Sequence, residues 1–103
     1  MSEHPTINPG YGPLYRVLVG ALEQAQTGKG EQRHGRGRAF MDQPMFAIAG
    51  MTGPGGPAFQ AIKKTQEALT MDANGQHEGA FREVLGAINY LGALALIFAE
   101  KTK

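Results

Sequence analysis

Lys29, Arg33, His34, Arg36 and Arg38 fall within ten residues of one another. The run 28–38 reads Gly-Lys-Gly-Glu-Gln-Arg-His-Gly-Arg-Gly-Arg, with four glycines and no apolar side chain. Its four Lys/Arg against Glu31 give a local formal charge of +3, so the rest of a chain of net charge +1 sums to −2. Positive charge is thus concentrated on one glycine-rich stretch. Arginine presents a planar fork of donors that matches phosphate oxygens. Interleaved glycines let backbone N–H groups approach an anion. The chemistry these residue types can do is phosphate binding. A solvated basic loop, or a nonspecific contact to RNA, has the same composition.

Further candidates lie downstream. Gln60, Lys63 (or Lys64) and Glu67 are spaced to share a helix face. Lysines there would meet the basic loop across a cleft, or form a surface ion pair between Lys63 and Glu67. Asn89 is the one strongly polar residue inside an apolar run, with Arg82 and Tyr90 near it. A buried amide needs partners. Asn89 therefore pairs across an oligomer seam or reads a ligand. Tyr11 and Phe40 are the aromatic residues placed to stack on a base. Thr52-Gly53-Pro54-Gly55-Gly56-Pro57 leads into a helix but has neither the Lys-Ser/Thr ending of a P-loop nor the spacing of a dinucleotide fingerprint.

Other chemistries are excluded by type or spacing. With no Cys there is no disulfide, no thiol nucleophile and no Cys-based zinc site. His4, His34 and His77 lack a ligand spacing, and Ser2 is the only serine. Asp72-x-Asn74-Gly75 lacks the sixth-position Gly and twelfth-position Glu of a calcium loop. No metal site or cofactor is expected.

The elements that must position these residues read as helices. The chain has 103 residues, enough for one domain. Gly and Pro make up 21 of them, about 20% against a usual ~12%. Residues 1–12 lack periodicity and read as an extended arm, followed by a single helical domain over 13–103. Pro13 suits a first helical turn. Leu14, Val17, Leu18, Ala21, Leu22 and Ala25 then recur at helical spacing to Gln26. The loop 28–38 follows. A short second helix runs from Asp42, near an N-cap, to about Met51. A third opens at Pro57, with Ala58, Phe59, Ile62 and Leu69 on one side. Asp72–Gly75 is a turn. The fourth and longest runs from about His77 to Lys101, lined by Ala80/Phe81, Val84/Leu85, Ile88, Leu91, Ala95 and Phe98. No strand pattern occurs. The expected fold is all-α, a small bundle of four helices.

Gly79, Gly86 and Ala93 are seven apart and share one face of the fourth helix. The opposite side is apolar too. A helix apolar nearly all round must be buried nearly all round. Three other helices, one of them short, cannot cover it, so a homo-oligomer built on the fourth helix is expected, the alternative being a small monomer with that helix at its centre. Val84–Ala99 is short for a membrane span of ~20 residues. The N-terminal residues show no secretory pattern. A cytoplasmic protein without a membrane partner is expected.

The passage Ala61-Ile62-Lys63-Lys64-Thr65-Gln66-Glu67-Ala68-Leu69, then Glu78-Gly79-Ala80-Phe81-Arg82-Glu83-Val84-Leu85-Gly86-Ala87-Ile88-Asn89-Tyr90-Leu91, resembles small phage-type members of the all-α (MazG-like) nucleoside triphosphate pyrophosphohydrolase superfamily. The resemblance covers about 30 residues. It implies a helical, oligomeric, nucleotide-handling protein of phage type, acting in a host cytoplasm. That family holds Mg²⁺ with acidic groups in Glu-x-x-Glu and Glu-x-x-Asp pairs. Glu83 matches the start of the second pair, the Asp position falls on Gly86, and no Glu-x-x-Glu occurs. What remains is cationic.

The leading expectation is a binding protein. Lys29, Arg33, His34, Arg36, Arg38, Gln60, Lys63, Lys64 and Asn89 would hold a phosphorylated nucleotide, cyclic or linear, with Tyr11 or Phe40 on its base and no turnover. Sequestration of an immune signal, as in phage anti-defence, suits the resemblance. One alternative is a divergent Mg²⁺-dependent pyrophosphohydrolase using Glu67, Glu78 and Glu83. Another is a nucleic-acid or protein adaptor built on the basic loop.

Overall fold

The computed structural model describes residues 6–27 and 37–103. The basic residues Lys29, Arg33, His34 and Arg36 lie outside the described residues, as do the first five residues of the N-terminal arm. Four α-helices carry the described chain: α1 (Gly12–Thr27), α2 (Pro44–Thr52), α3 (Gly55–Ala73) and α4 (His77–Glu100). Single 3-10 turns precede α1 at Pro9–Tyr11 and α2 at Phe40–Asp42. No strand occurs among the described residues. The all-α bundle expected from periodicity is what forms.

The helix boundaries follow from local chemistry. The arm is not extended throughout: Asn8 Oδ1 accepts from the Gly10 N–H at 2.9 Å and closes the Pro9–Tyr11 turn. Asp42 does not cap α2. Pro44 holds Gln43 in extended backbone, so the helix starts after Gln43, whose carbonyl accepts from the Phe46 N–H at 3.0 Å. α3 begins at Gly55, two residues before Pro57, because a proline in a first turn removes no intrahelical bond. Gly53 ends α2 with φ 92°, and Gly75 turns the chain between α3 and α4 with φ 81°. Both lie in the left-handed region that a Cβ disfavours. The α3–α4 turn is pinned further by the Gln76 N–H on the Met71 carbonyl, 2.8 Å, and by His77 Nδ1 beside Asp72 Oδ1, 2.7 Å.

α3 and α4 form an antiparallel hairpin, α1 packs along α4, and α2 packs on α3. The hairpin is in a seven-residue register. Met71 lies against Gly79, and Lys64 against Gly86. One further step of seven reaches Pro57 and Ala93, both buried. The glycines make room for these side chains: a Cβ on Gly86 would meet Lys64 Cδ at 2.9 Å and the lysine would have to shift. The expected close approach at Gly79, Gly86 and Ala93 is thereby seen within one chain.

The core is made of small residues. Its buried apolar members are Ala21, Ala49, Ala61, Ala68, Ala80, Ala87, Ala93 and Leu85. The side of α3 carrying Phe59, Ile62 and Leu69 had been the natural core face by side-chain size. It is exposed instead, and Ala61 and Ala68 face α4. On α4, Phe81, Val84, Leu91 and Phe98 are likewise exposed, and on α1 so are Leu14, Leu18 and Leu22. The physical reason is interhelical distance. Alanine and glycine let backbones approach, and long side chains at the same positions would hold them apart.

Candidate functional site

The glycine-floored side of α4 opens into a cleft of about 800 Å³, counting its solvent-filled mouth. α4 supplies the floor through Gly79, Glu83, Gly86, Asn89 and Tyr90, with Arg82 beside it. Lys64 and Met71 of α3 form one wall, Gln24 and Ala25 of α1 the other. Phe40, Gln43 and Met45, from the turn before α2 and its start, close the top.

Each side chain is held by identifiable contacts. Asn89 Nδ2 donates to the Ala21 carbonyl at 2.9 Å, and Gln24 Nε2 donates to the Arg82 carbonyl at 3.0 Å. These two crossed amide bonds tie α1 to α4 along the cleft. Lys64 Nζ lies 3.6 Å from Glu83 Oε2, with both side chains largely covered. Arg82 reaches Glu78 one turn earlier, 3.7 Å away. Phe40 packs edge-on against Phe46, ring centroids 5.4 Å apart.

Gln43 differs from all of these. It is 5% exposed, the one buried polar residue among those described. Its backbone is bonded on both sides, to Phe40 and to Phe46. Its side-chain amide lines the cleft and makes no hydrogen bond to the described residues. No side-chain N or O atom among the described residues is both fully buried and unpaired, so the Gln43 amide at the cleft wall presents its donor and acceptor to whatever enters the cleft.

The expected site residues divide accordingly. Lys64, Asn89 and Phe40 come together in the cleft. Gln60, Lys63 and Tyr11 do not line it. Lys63 points to solvent and sits 3.9 Å from Glu67, the surface pair that its spacing allows. Tyr11 is 62% exposed at the start of α1. Arg38 is exposed, two residues before Phe40. Asn89 resolves toward neither of its two expected roles alone. Its N–H₂ group binds α1 of the same chain, and its side chain still borders the cleft.

The site also contains residues that spacing did not single out: Gln24, Gln43, Met45 and Met71. Only chain folding brings them to α4. Gln43 stands at the N-cap position of α2 without a side-chain cap bond, and its spacing gave no signal.

In the sequence, the basic run lies between two groups of cleft-lining residues. It starts just after Gln24 and Ala25 and ends just before Phe40, all of them lining residues. Among the described residues, no three His, Asp or Glu side chains group as a metal site would need. The arrangement offers aromatic faces, amides and cations with a single cleft carboxylate, Glu83, among those residues. No protein-family model matches the chain, and no curated protein or solved structure matches it either.

Proposed function

We propose that the chain captures a phosphorylated nucleotide, cyclic or linear, and holds it without turnover, as a sequestering protein does. The observation that carries this reading is that the stretch of highest positive charge is joined at both ends to residues lining one amphipathic cleft. A nucleotide needs three kinds of contact. Phe40 and Tyr90 supply aromatic faces for the base. Gln43 and Asn89 supply amides for its polar edge. Lys64, Arg38 and the cations of 29–36 supply charge for phosphate. Glu83 is already engaged by Lys64, and among the described lining residues it is the single carboxylate. That balance supports holding over hydrolysis.

The test is incubation with a panel of cyclic and linear nucleotides with Mg²⁺ present. Depletion of each free nucleotide is followed, then the protein is heat-denatured and the released species are analysed. A nucleotide that disappears and returns unchanged is the expected result. A shortened product assigns the cleft to pyrophosphate hydrolysis instead. No depletion of any nucleotide removes both readings and leaves an adaptor. Arg36→Ala with Arg38→Ala should abolish capture and leave the helical circular dichroism spectrum intact.

A further inference from the structure

The side of α4 opposite the cleft is an apolar seam that the described residues leave largely uncovered. Phe81, Val84, Ile88, Leu91, Ala95 and Phe98 follow one another at steps of 3, 4, 3, 4 and 3. That is the a/d spacing of a helix that pairs with another helix. From Val84 to Ala99 the helix carries no Asp, Glu, Lys, Arg or His. α3 extends the seam: Ala58, Ile62 and Thr65 share a shallow groove with Leu91.

We infer that this face is where a second copy of the chain docks, with the two α4 helices antiparallel about a twofold axis between Ile88 and Leu91. Area is the first argument. Ile62, Leu69, Phe81, Val84, Leu91 and Phe98 are each between 42% and 64% exposed. At roughly 200 Å² for a fully exposed large side chain, those six expose about 600 Å². A standard interface buries ~800 Å² per partner, about two-thirds of it apolar in homodimers. The face therefore supplies the apolar area that a stable dimer needs, and it reaches the top of the ~300–600 Å² range for the largest patch on a monomer.

Symmetry is the second argument. The step pattern reads the same in both directions. A twofold midway between Ile88 and Leu91 sets Ile88 against the partner's Leu91, Val84 against the partner's Ala95, and Phe81 against the partner's Phe98. One patch is thus complementary to itself, as an isologous interface requires. Charge agrees with this direction. Glu78 stands in the first turn of α4 beside Arg82, and Lys101 follows its end next to the Glu100–Lys103 pair, so antiparallel pairing sets Glu78 level with the partner's Lys101. A charge-free seam offers nothing by which a partner of opposite charge would be selected. Because the cleft lies on the other side of α4, the inference does not depend on the ligand reading.

Sedimentation of the full chain tests it. The expected species has twice the 11.0 kDa chain mass. Leu91→Glu should halve that mass while the helical spectrum is retained, since Leu91 is half exposed in the monomer. The absence of cysteine makes a second test clean. Val84→Cys and Ala95→Cys chains, mixed and oxidised, should crosslink to each other, and neither should crosslink to itself. This test does not depend on Leu91→Glu folding. A wild-type monomer at 100 µM overturns the proposal, as does a dimer untouched by Leu91→Glu. Crosslinking of Val84→Cys to itself overturns the antiparallel arrangement. α4 is also long and apolar enough to cross a membrane by length and composition alone. A monomer that floats with phosphatidylcholine–phosphatidylglycerol vesicles would assign the seam to lipid and overturn the dimer.

Discussion

Lys64 Nζ sits 3.6 Å from Glu83 Oε2, so the described cation on the α3 wall and the cleft's carboxylate hold each other. The pair is partly covered, with side chains 19% and 27% exposed. An arriving phosphate therefore competes with Glu83 for the ammonium group.

Glu83→Gln separates capture from catalysis. The substitution keeps the shape and removes the competing charge. If the cleft captures nucleotide, affinity should rise by a few fold, the effect of roughly 1 kcal/mol at a partly screened site. Equilibrium dialysis of the nucleotide identified by the panel reads this directly. Loss of a hydrolytic activity in the same variant would return the site to pyrophosphohydrolysis.

Gln43→Leu should leave stability nearly unchanged, because the amide it removes faces the cleft and makes no side-chain hydrogen bond that ties two elements together. Capture should fall at least ten-fold, the loss of about 1.4 kcal/mol or more. Thermal melting and dialysis are measured together. A marked drop in Tm would show that the amide has a structural partner, and would remove Gln43 from the site.

Asn89→Ala should destabilise the chain through the bond to the Ala21 carbonyl, 2.9 Å. The loss of one such hydrogen bond is about 1 kcal/mol. For a domain of this size that lowers Tm by ~4–8 °C. The effect should be present without ligand, which distinguishes a tie between α1 and α4 from a residue that acts only on binding.

Two glycine substitutions should diverge. Gly50 lies in α2 with nothing within 4 Å of an added Cβ. Gly50→Ala should stabilise by about 0.5–1 kcal/mol through the lower entropy of the unfolded chain. An added Cβ on Gly86 would meet Lys64 Cδ at 2.9 Å and Cε at 3.1 Å. There the helix gain should be offset by displacement of the lysine. Gly86→Ala is expected to show no rise in Tm and weaker capture.

How much was legible in the sequence depends on the range of the physics involved. Pro13, Pro44, Gly53 and Gly75 act within a few residues, so the four helices and their ends could be read to within two or three positions. The seven-residue repeat of Gly79, Gly86 and Ala93 was equally legible, since only small side chains permit close helix packing. So was the concentration of charge at 29–38. Periodicity could not say which apolar side of a helix faces inward. Phe59, Ile62 and Leu69 have more surface to bury than Ala61 and Ala68, yet the alanines form the interface because backbone approach along a Gly/Ala seam leaves no room for longer side chains.

The amino-acid sequence by itself determined an all-helical chain, a small-residue seam on α4 and one cationic glycine-rich run. Tertiary structure decided that this seam is the floor of a cleft. It also brought Gln24 of α1, Phe40 and Gln43 from before α2, and Lys64 of α3 around it. Lys63 and Lys64 show the division most directly. They are neighbours of the same type in the sequence, but a helix turns 100° per residue. One therefore meets Glu67 at the surface, and the other meets Glu83 in the cleft.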